Sequence, residues 1–536
     1  MVMRSMTFCN TGLGVQINIV IMDSHAENTK RIAKNTLMLY VRMLFSMLVS
    51  LYTSRVVLNT LGVEDYGIYN VVGGFVAMFS LISSSLSSSV SRFLTFELGR
   101  GDIERLKETF STSLLIHLVL AGIVFVLAET VGIWFLNTQM TIPVERLYAA
   151  NWVFQASILS FMFGLSSVPY NASITSHERM SAFAYIGILD VVLRLLIVLF
   201  IAYAPFQFDR LIVYSLLLVC VGMSLQCIYL WYCRKNFEEC RFRLHFNKER
   251  WKEMSAFAGW NFIGCTAGLL KDQGVNILLN LFMGPIVNAA RGIAVSVNMA
   301  VTGFAGNFMA AVNPQITKSY AVEDREYMFS LVERGARFSF YIILILALPI
   351  LFETEFVLTL WLRHYPEHTV NFVRLVLILS LCDVISNTLI TLQNSTGKIR
   401  NYQLAVGGML MMNFPFSYIC LKGGFAPESV FFVAIIVSIC CLLLRLLFLR
   451  SMVGLSMSGF LRNVCLRAII VTVVAVIVPV VLTDFADFQG WRRFLLIVFA
   501  CLFCSLISVY FLGCSHNERS FIRRNMYALK YKFLTR

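Results

Sequence analysis

"TLGVEDYGIYNVV" occupies residues 60–72 and "FMGPIVNAARGIAV" residues 282–295. Each follows a long apolar run, and the two align with Gly62 on Gly284, an offset of 222 residues. The same offset carries Val90 onto Val312 and Asp102 onto Asp324. Further along, "ETVGIWFL" (129–136) matches "EFVLTLWL" (355–362), and "ITSHER" (174–179) matches "NSTGKIR" (394–400). An internal repeat of this length in an apolar chain is the mark of a membrane protein built from two related halves. Six spans separate the copies. Six is even, so the copies share an orientation and the repeat is parallel.

Composition agrees. Of 536 residues, 58% are hydrophobic and only 14% charged, with a mean hydropathy of +0.74. That charge content cannot cover the surface of a soluble chain of this size. Phe is abundant (45) and Pro scarce (10), which favours long apolar helices over the alternating strands of a barrel. The fourteen cysteines sit mostly inside apolar runs. Cys501 and Cys504 form a C-x-x-C with no turn or charge around it, so they read as apolar filler. The stretch "VQINIVIM" (15–22) is too short and polar for a signal peptide, and Met22 is an alternative start to Met1.

A spanning helix needs about 20 mostly apolar residues. About fourteen stretches qualify: 33–57, 68–91, 110–135, 147–170, 181–203, 210–233, 255–283, 287–313, 337–360, 370–393, 402–421, 428–449, 464–483 and 491–513. The expected fold is all-α and membrane-embedded. Spans 1–6 and 7–12 form two six-helix bundles facing a central cleft, and two helices are extra. The expected organisation is an N-terminal arm (1–31), a first bundle (32–233) and a basic connection (234–254). A second bundle (255–449), spans 13–14 (450–513) and a basic tail (514–536) follow. With both termini inside, the inner connections carry most of the 44 Lys and Arg. The net charge of +14 then reflects topology and anionic headgroups rather than nucleic acid.

Polar side chains are costly in lipid and should line the cleft or meet a partner helix. At 100° per residue, Asn35, Arg42, Ser46 and Ser50 share a face in span 1. Asn261, Gly268, Asp272 and Asn276 share one in span 7, and Asn288, Arg291, Asn298 and Thr302 in span 8. Ser380, Asp383 and Asn387 do so in span 10, whereas spans 3, 12 and 14 look apolar and lipid-facing. Arg42 has no carboxylate within four residues; it faces either a substrate anion or another helix. Asp190 and Arg194 are i,i+4 and should neutralise each other. Lys271 and Asp272 are adjacent, so they point about 100° apart and do not simply cancel. Arg55 and Arg291 lie near outer ends, where snorkelling is an alternative. Asp383 stands alone and reads either as a titrating or cation-binding acid or as a hydrogen-bonded structural one.

Eight serines fall between Ser80 and Ser91. At the repeat offset Ser84 and Ser88 land on Gly306 and Ala310, so both second spans are small at matching depth. Close packing explains this. The sharper reading is a cytoplasmic gate formed by Ser84, Ser88, Gly306 and Ala310. No nucleotide-binding loop, metal-spaced His or Cys set, or acid-bearing outer loop is present in the sequence, so no enzyme is expected.

"YTSRVVLNTLGVEDYGIYNVV" (52–72), "LLNLFMGPIVNAARGIAVSVNMAV" (278–301) and "AAVNPQITKSYA" (310–321) resemble bacterial polysaccharide transporters. These form the O-antigen and capsule flippase branch of the multidrug/oligosaccharidyl-lipid/polysaccharide exporter superfamily. The resemblance implies translocation of undecaprenyl-pyrophosphate-linked oligosaccharide from the inner to the outer leaflet of the bacterial plasma membrane. Alternating access, a cationic cleft, no bound cofactor and coupling to a Na+ or H+ gradient are implied as well. By position it assigns Arg42, Arg55, Lys271 and Arg291 to the substrate, to which Asn276 and Asn298 add polar contacts. Asp272 and Asp383 are the ion-coupling candidates. Implied partners are membrane lipids, the pathway's polymerase and its glycosyltransferases. A drug exporter of the same superfamily and a non-transporting component of an assembly complex are the alternatives.

Overall fold

The computed structural model describes residues 6–77, 79–138, 140, 142–203, 208–241, 247–485, 490–516, 518–520 and 523. Most of the expected basic tail and part of the 234–254 connection lie outside them, as do the side chains of residues 6–27. Among the described residues there is no strand. The main helices of the first half are α1 (Met6–Ala77), α2 (Ser80–Arg100), α3 (Ile103–Leu127), α4 (Ile133–Thr138), α5 (Leu147–Ser176), α6 (Met180–Tyr203) and α7 (Arg210–Asn236). Then come α8 (Lys248–Ala321), α9 (Arg325–Phe352), α10 (Thr354–Leu362), α11 (Thr369–Val384), α12 (Asn387–Ser395), α13 (Arg400–Met411) and α14 (Asn413–Lys422). The chain ends with α15 (Ser429–Val453), α16 (Met457–Phe460), α17 (Arg467–Phe485) and α18 (Trp491–Ser508).

Twelve of the described helices or helix runs are long and apolar enough to cross a membrane. The fourteen expected stretches reconcile with them in two places. The 74 residues of α8 would run about 110 Å at 1.5 Å each. It holds both 255–283 and 287–313, divided at Gly284. The stretch 68–91 falls on the end of α1 and the start of α2, on either side of residue 78, which lies outside the described residues.

The repeat is written into the backbone. Gly62 has φ 83 and ψ 170, and Gly284 φ 81 and ψ −179. This region is open essentially to glycine alone, and it breaks both long helices at the same repeat position. In the second copy Pro285 follows and disfavours a helical conformation for the residue before it. In the first copy glycine acts alone. Next, Gly101 (φ 73) ends α2 and Glu323 (φ 59) follows α8, again 222 residues apart. The caps match as well. Asp102 accepts a hydrogen bond from the Arg105 N–H, and Asp324 from the Tyr327 N–H, each three residues on. After α5 and α12 stand Glu178 (φ 58) and Gly397 (φ 75).

The chain divides into two compact units, residues 1–265 with 310–327 and residues 266–309 with 328–536. In the first, α1 packs on α6, and α5 on α2 and α7. Val72, Val76, Val153, Phe154 and Leu211 form a core there. In the second, α15 packs on α11, α13 and α14 around Tyr402, Val406, Val437 and Cys441, while α17 packs on α18.

Burial runs opposite to that of a soluble protein. On α3, Thr109, Ser113 and His117 are wholly buried, while Leu118, Ile123 and Val126 are about half exposed. Apolar residues turned outward and polar ones turned inward suit a lipid surround. This also corrects the reading of spans 3 and 12 as simply lipid-facing. Each has one apolar flank and one flank with buried polar groups, among them Ser438 and Arg445 on α15.

Candidate functional site

In the first unit, α1, α5, α6 and α7 surround a cavity of about 510 Å³. Arg42 reaches it from α1. Its guanidinium carbon lies 4.5 Å from the centre of the Phe183 ring, a cation–π contact. A Cβ at Gly187 would come within 2.9 Å of the Arg42 Cδ, so glycine on α6 is what lets this side chain lie across the helix. Asp190 and Arg194 line the same cavity and are paired at 2.7 Å, as their spacing predicts. Arg42 therefore borders a polar space inside the first unit and packs on another helix as well. Arg55 is exposed and does not line this cavity.

Where the repeat has Gly397, the first copy carries Glu178, whose side chain is wholly buried. Lys318 Nζ lies 2.6 Å from Oε1, and Arg31 Nε 2.8 Å from Oε2. The Gln315 amide donates to Oε2, and Asn35 donates to the Glu178 carbonyl at 3.1 Å. One residue thus ties Arg31 and Asn35 of α1 and the end of α8 to the α5–α6 turn. A left-handed non-glycine residue costs about 1–2 kcal/mol, and these contacts offset it.

A second cavity of about 510 Å³ in the same unit is lined by Arg92, Arg100, Arg250 and Glu97 among others. Arg250 is bound to Glu97 at 2.7 Å. Arg92 lies over the rings of Phe93 (4.4 Å) and Phe257 (5.6 Å). Burial pushes its guanidinium down to about 10 despite the opposing field of Glu253. Within the serine tract, Ser85 is buried and hydrogen-bonded to another helix. Its hydroxyl donates to the Ala258 carbonyl at 2.9 Å, and Asn261 donates to the Ser85 carbonyl at 3.1 Å. Ser84 is exposed and Ser88 and Ala310 are half-buried, while a Cβ at Gly306 would meet nothing within 4 Å.

The second unit gathers most of the other expected residues. Lys271, only 11% exposed in its side chain, lies 3.5 Å from Asp383, which is 46% exposed. Asp383 is therefore not the lone acid it resembles in the sequence. It also accepts a hydrogen bond from the Ser438 hydroxyl. Arg291 reaches back across the Gly284 break, donating to the Asp272 carbonyl oxygen at 2.9 Å and the Asn276 side chain at 3.3 Å. Asn298 accepts from the Ser380 hydroxyl. Arg445, hidden in the apolar run of α15, is buried and donates to the Tyr402 hydroxyl at 3.0 Å. Lys271, Arg291 and Arg445 against Asp272 and Asp383 leave three positive and two negative charges, an excess of one positive.

Long, broken apolar helices in two repeated halves, each with a buried polar interior, define a polytopic membrane protein with a transporter fold. Solved structures share that fold. A MATE transporter in the straight conformation matches with a TM-score of 0.68 at 14% identity, over 79% of this chain and 96% of its own. A MOP-superfamily transporter from Pyrococcus furiosus, described as having a binding pocket of reversed polarity, matches with a TM-score of 0.68 at 14% identity, over 81% and 96%. Residues 32–320 match the family model described as "Polysaccharide biosynthesis protein", and the chain belongs to that family. It is also 21% identical over 309 residues to EpsK of Bacillus subtilis (strain 168), an uncharacterized membrane protein. That match covers 57% of this chain and 60% of the relative, so the chain spans less than two thirds of the relative's length.

Proposed function

We propose that this protein carries a polyprenyl-pyrophosphate-linked oligosaccharide from the inner to the outer leaflet of a bacterial plasma membrane. The observation that carries the proposal is the cationic excess in the second unit. Lys271 is held by a partly exposed carboxylate at 3.5 Å, and Arg291 and Arg445 add two further cations to the same unit. A diphosphate leaving water needs compensating charge, and a guanidinium meets phosphate oxygens through a two-pronged contact. In the empty state Asp383 neutralises Lys271; an arriving phosphate takes its place, and the freed carboxylate is the point at which an ion gradient couples. Family membership supports a glycan substrate, and the transporter fold supports alternating access with both termini cytoplasmic. Polymerase and glycosyltransferases of the pathway are the proposed partners. The fold alone also accommodates a small-molecule exporter, but a site with surplus positive charge disfavours the organic cations such a protein would expel.

Deletion followed by lipid extraction tests the proposal. Lipid-linked glycan should accumulate on the inner leaflet, and Lys271→Gln should reproduce the accumulation with the protein still inserted. Unchanged glycan lipids in the deletion strain would remove the reading altogether.

A further inference from the structure

We infer that the cavity inside the first unit is a saccharide subsite, which takes one or two neutral or acidic sugar residues of the carried glycan. The inference rests on the function proposed above and adds where the sugar sits.

Four helices each turn a glycine to this space: Gly73 on α1, Gly164 on α5, Gly187 on α6 and Gly222 on α7. A glycine inside a helix costs about 1 kcal/mol relative to alanine. At Gly73 and Gly164 no protein atom lies within 4 Å of where a Cβ would be, so no close neighbour demands glycine there. At Gly73 and Gly164 the effect of glycine is to keep the volume open. At about 510 Å³ the cavity falls in the range of small-ligand sites and is far larger than a single ion needs.

The walls have the chemistry of a pyranose. A sugar ring presents apolar C–H faces and a rim of hydroxyls. Phe161, Phe183 and Tyr229 supply rings for the faces, and Arg42, the Asp190–Arg194 pair and Asn171 supply polar groups for the rim. The Asn171 side chain lies beside the Tyr229 hydroxyl on this wall. An apolar molecule such as a lipid tail would cover the Arg42 guanidinium without offering it an acceptor, at about 1–3 kcal/mol. Arg42 and Arg194 against Asp190 leave one positive charge, which admits neutral or acidic sugars and disfavours cationic ones.

The test uses the full-length protein in its own host, with the photo-crosslinker p-benzoylphenylalanine in place of Ser160, which lines the cavity. The same probe in place of Leu159, 40% exposed on the same helix, is the control. After irradiation, adducts are identified by mass. A sugar-bearing adduct at 160 and none at 159 is the expected result. A phospholipid adduct or none at 160 overturns the inference. Because the probe itself takes up space, Gly73→Leu and Gly164→Leu provide an independent arm. Each should lower glycan export at least tenfold at normal protein level and normal unfolding midpoint. Full export by both variants overturns the subsite, while accumulation in the deletion strain would still uphold the transport function. No accumulation in the deletion strain sinks the function itself, and the subsite with it.

Discussion

Glu178→Ala is expected to be among the most destabilising single substitutions in the first unit, and its cost can be built from the contacts. The carboxylate is wholly buried, with Lys318 at 2.6 Å, Arg31 at 2.8 Å and the Gln315 amide on the same oxygen as Arg31. Removing one member of a buried ion pair costs about 3–5 kcal/mol. Most of that falls on Lys318, 22% exposed, because Arg31 at 46% exposure can return to water and contributes only about 0–1 kcal/mol. The Asn35 bond survives, since it goes to the Glu178 backbone carbonyl. Alanine keeps the strain of φ 58, whereas glycine releases it. Glu178→Gly should therefore lose about 1 kcal/mol less than Glu178→Ala, although both remove the same carboxylate. Denaturant unfolding of the purified protein in detergent measures both. An alanine variant within about 1 kcal/mol of the parent, or a glycine variant no more stable than the alanine one, would refute the account of Glu178 as an anchor held in a strained turn.

Gly62→Ala and Gly284→Ala should each cost about 1–3 kcal/mol through backbone strain, because no atom lies within 4 Å of either added Cβ. Equal losses in unfolding free energy would tie the two breaks to one structural role, and a neutral result at either would deny it. For Lys271→Met and Asp383→Asn, a double-mutant cycle should show the single losses failing to add, since each single change leaves a charge unpaired. Additive losses would mean that the pair is not coupled. Burial alone would raise Glu428, but hydrogen bonds from His368 and Asn371 hold its carboxylate below the usual 4.5. Its contribution is therefore present above that value and is lost as pH falls through the lowered one. The stability difference between the parent and Glu428→Gln should shrink on acidification from neutrality to below pH 4, and a constant difference would exclude the carboxylate as its source.

Some of this was legible in the chain and some was not. The break at Gly62 and Gly284 could be read because only glycine adopts that backbone, so a matched pair of glycines is a physical signal. The repeat matched Asp102 with Asp324 but did not mark them as caps, a role that serine, threonine or asparagine fills as well. The left-handed turns at Glu178 and Glu323 were not, because glutamate does not mark such a conformation and only the repeat partners Gly397 and Gly101 do. The Lys271–Asp383 pair joins residues far apart in sequence, so Asp383 reads as a lone acid until the fold brings Lys271 to it. Arg445 was masked by the apolar run around it. On α3, Thr109, Ser113 and His117 recur every four residues and share a face, but a mean hydropathy averages that stripe away.

Distance alone does not separate the charges that hold this protein together from those that can act on a substrate. At an effective dielectric of about 20, unit charges at 2.6 Å attract by about 6 kcal/mol and at 3.5 Å by about 5 kcal/mol. Lys318–Glu178 and Lys271–Asp383 therefore differ little in Coulomb energy. They differ in what else each carboxylate has. Glu178 is closed to solvent and receives three side-chain donors, so replacing any one of them means passing through an unpaired buried charge. Asp383 is nearly half exposed and has one ammonium and one hydroxyl, so water can solvate it when the ammonium leaves. The ammonium of Lys271, by contrast, is nearly buried and must always have an anion beside it. A buried cation whose partner can be solvated is prepared to exchange one anion for another. Under the function proposed above, that asymmetry singles out Lys271 as the charge in the second unit to meet a phosphate, and it leaves Glu178 to the architecture.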